Sequence, residues 1–542
     1  MDVMKKIGAL ICIIVIGTTM LNIVEKIINS TTDEYEIKRT QQHKQDMREG
    51  AVPKIGTTVV DESGVIDKSF ISHLPLVIID MGDKVIPVTK MIEYSNTGEG
   101  KKNIIFKYTG ENPYVEGKIN VIDNANHINT LSDVPTQQSY IKIRYRGNSS
   151  LLYEKKQYAI KLINEDGTNK SMPMLSMSAN NDWVLNGSMQ DASLIRNYMS
   201  YNIGSVLFPY NTEVRYCEVI FKSGESYKYN GVYLMMEQVE EGKNRVDITD
   251  YEKGDDLVSY LLCRDREDTQ ERQLSTYCSE NDLCYGRLSV LYPKQDILDD
   301  YAFDYIEKDI DKIERILYSD DPIVFETWSD YLDVQSFVDY FLFNEMLGNY
   351  DAGNNSTYMY KDGAGKLCMG PLWDYDGAMD NYYSEINNPQ YVGFQQSPWY
   401  DRLCKSKEFV SVLNKRYDEL SDTILSADSL SSYADEVRLY LGNAALREWS
   451  RWANVYGVNS DLKSMEDQDG YMIDRIRDTH KEEVQRLKDY FQLKELYIED
   501  GLELLEEDVL YISSHSGEYA VIILIVILVS SVILIRRRKS FR

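Results

Sequence analysis

The chain has 542 residues and a formal net charge of −28, and 43% of its residues are hydrophobic. Binding of nucleic acid requires Lys and Arg to neutralise phosphates, so a chain this acidic is a poor candidate for a nucleic-acid-binding protein. The apolar and aromatic content is typical of packed globular cores and argues against a mainly disordered chain. The length is sufficient for two to four domains.

Two uncharged apolar segments predict membrane spans. The first covers residues 7–24, after Lys5 and Lys6, and the second covers residues 519–535, before the basic tail RRRKSFR. Both are close to the ~17–25 residues that cross a bilayer. We expect an uncleaved signal anchor within residues 1–30, although a cleaved signal peptide is the alternative. Because basic residues mark the cytoplasmic side, we expect a cell-membrane protein with both termini cytoplasmic and its main domain extracellular.

The cysteines fit an extracellular domain. One of the seven lies in the first apolar segment, and an even number in the main domain permits disulfides. The chain contains no CxxC motif and only five His, which argues against a zinc site. The six cysteines of the main domain are Cys217, Cys263, Cys278, Cys284, Cys368 and Cys404.

A polar stalk is predicted before the main domain. Residues 31–71 contain this stalk and the start of the β region. Short β-rich runs separated by turn residues predict a strand-rich lobe over about residues 72–295. Amphipathic periodicity predicts helices over most of residues 296–510. Within the first lobe, DASLIRNYMSYNIGSVLF predicts a helix capped by Asp191. The predicted fold class is therefore α+β, with a strand-rich N-terminal half and a helical C-terminal half flanked by two transmembrane helices.

Three acidic residues crowd the segment GPLWDYDGAMDN, which contains Asp374, Asp376 and Asp380. The preceding runs STYMY and KLCMG flank a KDGAG turn and predict a hairpin. Asp351 comes before this hairpin and Asp374 after it, 23 residues further on. Because a hairpin returns on itself, the two aspartates can lie close together. A divalent cation would offset the repulsion among such carboxylates.

Phosphoryl transfer uses this set of residue types. One Asp orients the attacking hydroxyl, an Asn and a second Asp hold divalent metal, and a strand Lys neutralises phosphate oxygens. Asp351 fits the first role, and Asn355 with Asp374 fits the second. Lys161, in the predicted strand YAIKL, fits the third, and Glu237 is a candidate partner for it.

Each of these residues also has a simpler interpretation. A strand Lys is usually solvent-facing, and Asp351 and Asn355 could be ordinary turn residues. Asp376 could be a turn residue or could exchange roles with Asp374. The loop RGNSS between the strands SYIKIRYR and YAIKL has a single Gly and is typical of a hairpin turn. The order of these residues along the chain favours a kinase-like site more than any one of them does.

At these residues the chain resembles the spore-coat protein H (CotH) kinase family, over roughly residues 72–460. The resemblance implies an atypical protein-kinase-like fold that binds ATP with Mg²⁺ or Mn²⁺ and phosphorylates Ser on proteins such as coat proteins. The matching segments are IRYRGNSS with KKQYAIKL, WVLNGSMQDASLIRN, GVYLMMEQVEEGKNRVDI, FNEMLGNYDAGNNSTYMYKD and MGPLWDYDGAMDN.

The resemblance also implies roles for individual residues. Asp351 resembles the catalytic aspartate and Asp374 the metal-binding one. Lys155 and Lys156 are alternatives to Lys161 as the phosphate-binding cation, and Asn354 is an alternative to Asn355. The complete predicted site consists of Asp351 as the catalytic residue, Lys161, Arg146, Asn148 and Glu237 for ATP, and Asp374, Asn355 and Asp376 for metal.

Two functions of different classes follow. The main hypothesis is a membrane-anchored, outward-facing kinase-like phosphotransferase that transfers phosphate from ATP to Ser of surface, coat or secreted proteins. The alternative is a catalytically inactive module on the same fold that serves surface binding or adhesion. A transporter is disfavoured because neither predicted span carries an ionisable residue.

Overall fold

The computed structural model describes residues 54–456 and 477–539, apart from short gaps at 89, 97–101, 109–112, 148, 153, 188, 267–271 and 382–387, and its side chains are described as far as residue 509. The strands are β1 (Val65–Ile66), β2 (Ile71–Ser72), β3 (Leu76–Asp80), β4 (Lys90–Asn96), β5 (Lys102–Tyr108), β6 (Val115–Ile122), β7 (Asn129–Thr130), β8 (Gln137–Arg146), β9 (Gln157–Ile163), β10 (Met172–Met174), β11 (Met177–Asn180), β12 (Asp182–Asn186), β13 (Val214–Ser223), β14 (Ser226–Glu237), β15 (Tyr260–Asp265), β16 (Arg287–Tyr292), β17 (Thr357–Lys361) and β18 (Cys368–Met369).

The helices are concentrated in the second half of the chain. They are α1 (Arg196–Leu207), α2 (Tyr277–Glu280), α3 (Asp300–Leu317), α4 (Pro322–Phe325), α5 (Val334–Leu347), α6 (Tyr400–Leu403), α7 (Lys407–Ser421), α8 (Ala427–Arg451), α9 (Ala453–Tyr456) and α10 (His480–Lys539). Five of them begin at a side-chain cap that accepts a hydrogen bond from a backbone N–H of the first turn: Asp299 for α3, Asp321 for α4, Asp333 for α5, Ser406 for α7 and Ser426 for α8.

Seven strands of the first half close into a barrel. The ring runs β3–β6–β8–β9–β12–β14–β13 and returns to β3, and β3 and β13 are its one parallel pair. Alternate residues of each strand point inward, as the pattern in YAIKL predicts: Tyr158, Ile160 and Leu162 are buried inside the barrel. The residues between them, Ala159 and Lys161, face outward.

A second sheet lies among the helices. Its strand order is β16–β15–β17–β18, and all of its pairings are antiparallel. One continuous apolar core joins the outer face of the barrel, for example Val184 and Met236, to helical residues such as Phe341 and Leu342. The structure thus confirms an α+β fold with a strand-rich N-terminal half and a helical C-terminal half.

The predicted membrane helices gain no support from the structure. Among the described residues, no helix is both long and apolar enough to span a membrane. The segment 7–24 lies outside the described residues, and the segment 519–535 lies on the part of α10 whose side chains are outside them.

One helix boundary differs from the prediction. Helix α1 begins at Arg196, not next to Asp191. The buried Asp191 carboxylate instead accepts hydrogen bonds from the backbone N–H groups of Ser193 and Arg196, at 3.0 and 2.8 Å. Asp191 therefore organises the turn that precedes the helix, because a short carboxylate side chain readily bonds backbone groups just after it.

Candidate functional site

The first acidic loop follows α5, a helix of mostly buried residues that ends at Gly348 in the left-handed conformation. The carbonyl oxygen of Asp351 accepts the N–H groups of Asn354 and Asn355, at 3.1 and 2.8 Å. The amide of Asn355 donates to Oδ1 of Asp351 at 2.9 Å. This turn fixes the Asp351 carboxylate and places the side chain of Asn355 directly beside it.

The second acidic loop leaves the predicted hairpin, which the structure confirms: β17 and β18 pair antiparallel. Asp374 has a positive φ of 62°, and its N–H donates to the hydroxyl of Tyr201 at 3.0 Å. Its carbonyl accepts the side-chain amide of Asn349 at 3.2 Å. A direct hydrogen bond therefore joins the two loops.

The pKa values of two carboxyls in this second loop lie above their usual range. Burial, together with the charge of Asp351, raises the pKa of Asp374 to about 6. Burial and a side-chain hydrogen bond to Asp374 raise the pKa of Asp376 well above its usual range. Two hydrogen-bonded, buried carboxyls cannot both ionise cheaply, so the pair favours a proton on one of them. A metal cation can take the place of that proton.

The two acidic loops supply oxygen atoms of the kind that a hard divalent cation binds. Asn355 is only 9% exposed, and its Oδ1 atom is buried without a hydrogen-bond partner. A buried acceptor left unpaired is costly in a folded protein. Carboxylate and amide oxygens are the ligands that Mg²⁺ prefers. Asp374, Asp376 and Asn355 are therefore the residues that would hold a metal ion.

Arg146 is the cation that the structure brings to these aspartates. The half-buried Arg146 places its guanidinium over the ring of Trp373, 5.2 Å from the ring centre, and donates to Gln157 at 3.3 Å. Its positive charge opposes the upward shift in the pKa of Asp374. Arg146 therefore lies between the barrel and the second acidic loop, as an ATP-binding residue in this site would have to.

Lys161 lies on the same outer face of the barrel. The pairing of β8 with β9 places Lys161 opposite Lys142. Along β8, Lys142 is two positions from Arg144 and four positions from Arg146. Its ammonium is 3.3 Å from the carboxylate of Asp182, and its side chain is 37% exposed. Lys161 thus belongs to a basic strip, made of Lys142, Arg144, Arg146 and Lys161, of which Arg146 is the member next to the aspartates.

Glu237 does not pair with Lys161. Trp183 lies opposite Glu237 on β14, whereas Lys161 lies opposite Asp182, the residue before Trp183. Neighbouring residues of a strand face opposite sides, so Lys161 and Glu237 lie on opposite faces of the sheet. Glu237 instead forms a buried ion pair with Arg245.

The alternative cations lie elsewhere. The ammonium of Lys155 is fully buried and pairs with Glu448 at 2.6 Å. Lys156 donates to the carbonyl of Leu151 at 2.6 Å. Neither contact points to phosphate binding. Asn148, predicted to bind ATP, lies outside the described residues.

Two further residues of the site, Asp265 and Arg196, were not predicted from the sequence. Asp265, at the end of β15, adds negative charge that raises the pKa of Asp374. Arg196 is completely buried and donates to the carbonyls of Ala378 and Met379, at 2.9 and 3.1 Å. An acid at the end of the apolar run YLLCRD was a visible clue to Asp265. The role of Arg196 depends on packing between residues about 180 apart, and no local pattern predicts it.

The fold and site together define an α+β protein with two joined acidic loops beside a basic strip. A family model described as CotH kinase protein matches residues 143–498, about two thirds of the chain and both loops. The chain therefore belongs to the CotH kinase family, which suggests kinase-like phosphotransferase activity. No curated protein matches the chain.

Proposed function

We propose that this protein is an atypical kinase that transfers a phosphoryl group from ATP to Ser hydroxyls of proteins, with Mg²⁺ or Mn²⁺. The observation that carries the proposal is the unpartnered, buried Oδ1 atom of Asn355 beside Asp351, whose charge acts on the carboxyls of Asp374 and Asp376. An arrangement with excess negative charge and an orphaned acceptor suits a bound cation. Family membership supports the same class of reaction.

Asp351 would receive the substrate hydroxyl. It is half-buried, so a side chain presented at the surface can reach it, and the Asn355 amide fixes its orientation through the 2.9 Å hydrogen bond. In phosphoryl transfer such an aspartate orients the hydroxyl and accepts its proton as the new bond forms. Positioning accounts for much of the catalysis in this reaction, which makes the rigid turn around Asp351 useful.

Asp374, Asp376 and Asn355 would hold the metal. A bound divalent cation neutralises charge on the phosphate oxygens. A proton held by Asp374 or Asp376 must leave when both carboxylates become ligands. The buried Arg196 guanidinium, which donates to the backbone of this loop at Ala378 and Met379, keeps the carboxyls in place.

The basic strip would bind the phosphates of ATP. Arg146 is next to Asp374, so it is the member best placed to meet the phosphate groups that share the metal. Arg144 and Lys161 follow along the outer face of the barrel and flank the ring of Tyr114, at 4.9 and 5.8 Å from its centre. Guanidinium groups are well suited to phosphate because they can donate two parallel hydrogen bonds.

We further propose the setting that the sequence predicts. Ser-containing surface, coat or secreted proteins would be the substrates, and nucleic acid would not be a partner. The apolar segments 7–24 and 519–535 would anchor the protein in the cell membrane with its main domain outside.

Intact-mass spectrometry on the full-length protein tests the kinase proposal. The protein would be incubated with ATP, Mg²⁺ or Mn²⁺ and a Ser-rich acceptor, beside the variants Asp351→Asn and Asp374→Asn, which keep side-chain shape. Asp166→Asn is the matched control, because Asp166 lies in an exposed turn of the barrel.

We expect phosphate on the acceptor with the parent and the control, and at least about a thousandfold less with either site variant. Absence of both phosphate transfer and nucleotide binding in a folded sample would reject the kinase. That result would favour the inactive surface-binding module instead.

A further inference from the structure

Two thiols and a carboxylate form a buried cluster outside the acidic site. Cys278 on α2, Cys284 in the loop after it and Glu314 on α3 place their sulfur and oxygen atoms within 4.8 Å of one another. The thiol of Cys278 is hydrogen-bonded to Cys284, which raises the pKa of Cys278 and lowers the pKa of Cys284. Cys284 is therefore the more nucleophilic sulfur of the pair at neutral pH.

The carboxylate of this cluster is already engaged. One oxygen of Glu314 accepts the N–H of Cys278 at 2.8 Å, and the other accepts the indole N–H of Trp399 at 3.2 Å. The guanidinium of Arg264 is 3.9 Å from the second oxygen. A positive charge next to a fully bonded carboxylate disfavours a metal ion here, so the chemistry left to the cluster is that of its two thiols.

Arg264 and Gly286 connect the cluster to the loop that carries Asp351. Arg264, which stacks on Trp399, donates to the carbonyl of Gly353 at 3.0 Å. Gly286, two residues after Cys284, lies against the same loop: a Cβ atom added there would be 1.9 Å from the carbonyl oxygen of Asn354. Gly286 thus brings the segment of the thiols against the turn around Asp351, and Arg264 links Glu314 to the same turn.

We propose that Cys278 and Cys284 form a reversible disulfide that clamps residues 276–286 beneath the loop carrying Asp351. Cys284 is the entry point, since its loop is the more accessible: Tyr285 beside it is 72% exposed. The oxidant is a low-molecular-weight disulfide. The bond closes a short loop, which removes conformational freedom from that segment.

The chemistry is thiol–disulfide exchange in two steps. The Cys284 thiolate attacks one sulfur of the external disulfide, forms a mixed disulfide and releases one thiol. Cys278, after losing its proton to solvent, attacks the sulfur of Cys284 and releases the second thiol. Two protein thiols are oxidised, and one external disulfide is reduced to two thiols.

The first test equilibrates the full-length protein in mixtures of oxidised and reduced glutathione, alkylates the remaining thiols and maps peptides by mass spectrometry. We expect Cys278 and Cys284 to lose alkylation together and to appear in one peptide that is lighter by two hydrogens. Cys368→Ser is the matched control, because Cys368 is a half-buried thiol on β18 of the second sheet, outside the segment 276–286. Alkylation of both residues at the oxidising extreme, or a bond to a different cysteine, would overturn the proposal.

The second test measures the clamp itself by amide hydrogen exchange. Oxidation should slow exchange at residues 276–286 and at residues 351–355 several-fold in the parent and in Cys368→Ser, but not in Cys284→Ser. Unchanged exchange at residues 351–355 would refute the clamp. Retention of one Zn²⁺ per chain by the reduced protein, lost in Cys278→Ser, would refute the disulfide in favour of a metal site. None of these measurements requires phosphoryl transfer, so their outcome is independent of the kinase proposal.

Discussion

The barrel buries charged groups against the helices at two places, and these differ in charge balance. Against α8, Arg447 pairs with Glu218 at 2.8 Å and Lys155 pairs with Glu448 at 2.6 Å, all four with fully buried side chains. In the acidic site, burial and the charges of Asp351 and Asp265 raise the pKa of Asp374, and the guanidinium of Arg146 opposes them. Matched pairs are compatible with a purely structural role. In a group of buried carboxyls without matching cations, the pKa values are raised and the folded state is destabilised. Such groups are typical of functional sites.

The largest effect is expected from unbalancing the α8 contact. Glu448→Gln leaves the buried ammonium of Lys155 without its carboxylate, and breaking a buried pair in this way costs about 3–5 kcal/mol. Urea unfolding would measure the loss. Asp435→Asn is the control, because Asp435 pairs with Lys488 near the surface and should contribute less than about 1 kcal/mol. Equal losses in the two variants would remove the distinction between the regions.

The acidic site should respond in the opposite way to removal of a charge. Asp374→Asn relieves carboxylate repulsion, so the metal-free protein should be no less stable than the parent. Mg²⁺ at a hundred times its dissociation constant should stabilise the parent by about 2.7 kcal/mol and the variant hardly at all. Thermal unfolding with Mg²⁺, and with NaCl at matched ionic strength, distinguishes binding from screening. A variant that keeps the full Mg²⁺ effect would contradict the assigned metal site.

The contact between the barrel and α8 makes the stability of the protein depend on pH through His73. This buried ring bonds the carbonyl of Tyr440 at 2.7 Å, and burial lowers the pKa of His73 to about 4. Unfolded His binds a proton below about pH 6.5. The neutral His73 therefore makes its full contribution to the free energy of unfolding above pH 6.5. That contribution falls by about 1.4 kcal/mol per pH unit as the pH is lowered towards 4.

Urea unfolding of the parent and of His73→Gln at pH 7.5 and 5.5 measures this contribution. The parent should lose about 1.4 kcal/mol more than the variant between those two pH values. Carboxylates that titrate in both proteins cancel in the comparison. Identical losses would mean that His73 is not held neutral by its contact with α8.

The smallest effect is expected at Lys161, at the outer end of the basic strip. Its partly exposed ammonium already pairs with Asp182, and exposed pairs contribute little. Lys161→Met should raise the KM for ATP less than about threefold, which corresponds to less than about 0.7 kcal/mol. Arg146→Gln is the contrasting variant, with an expected loss of about tenfold in kcat/KM. A larger loss at Lys161 than at Arg146 would reverse the assignment of the phosphate-binding cation.

The sequence by itself determined the local elements of this protein. Alternation in YAIKL predicted that Tyr158, Ile160 and Leu162 share one face of a strand, and the turn KDGAG predicted the hairpin between Asp351 and Asp374. Each of these features is set by interactions within about 25 residues. For the same reason, the paired acidic loops and the helix before Asp351 were readable without a structure.

Only the tertiary structure decided the partners of the charged residues. Lys155 and Glu448 are 293 residues apart, and Arg196 meets the loop of Asp374 across 182 residues. The two-residue period of a strand predicts that neighbouring side chains face opposite sides of the sheet, but it does not predict which strand pairs with which. The finding that Lys161 and Glu237 lie on opposite faces therefore required the register of β9, β12 and β14. Closure of the barrel through β3 and β13 is likewise a long-range pairing, chosen by packing and not by local sequence.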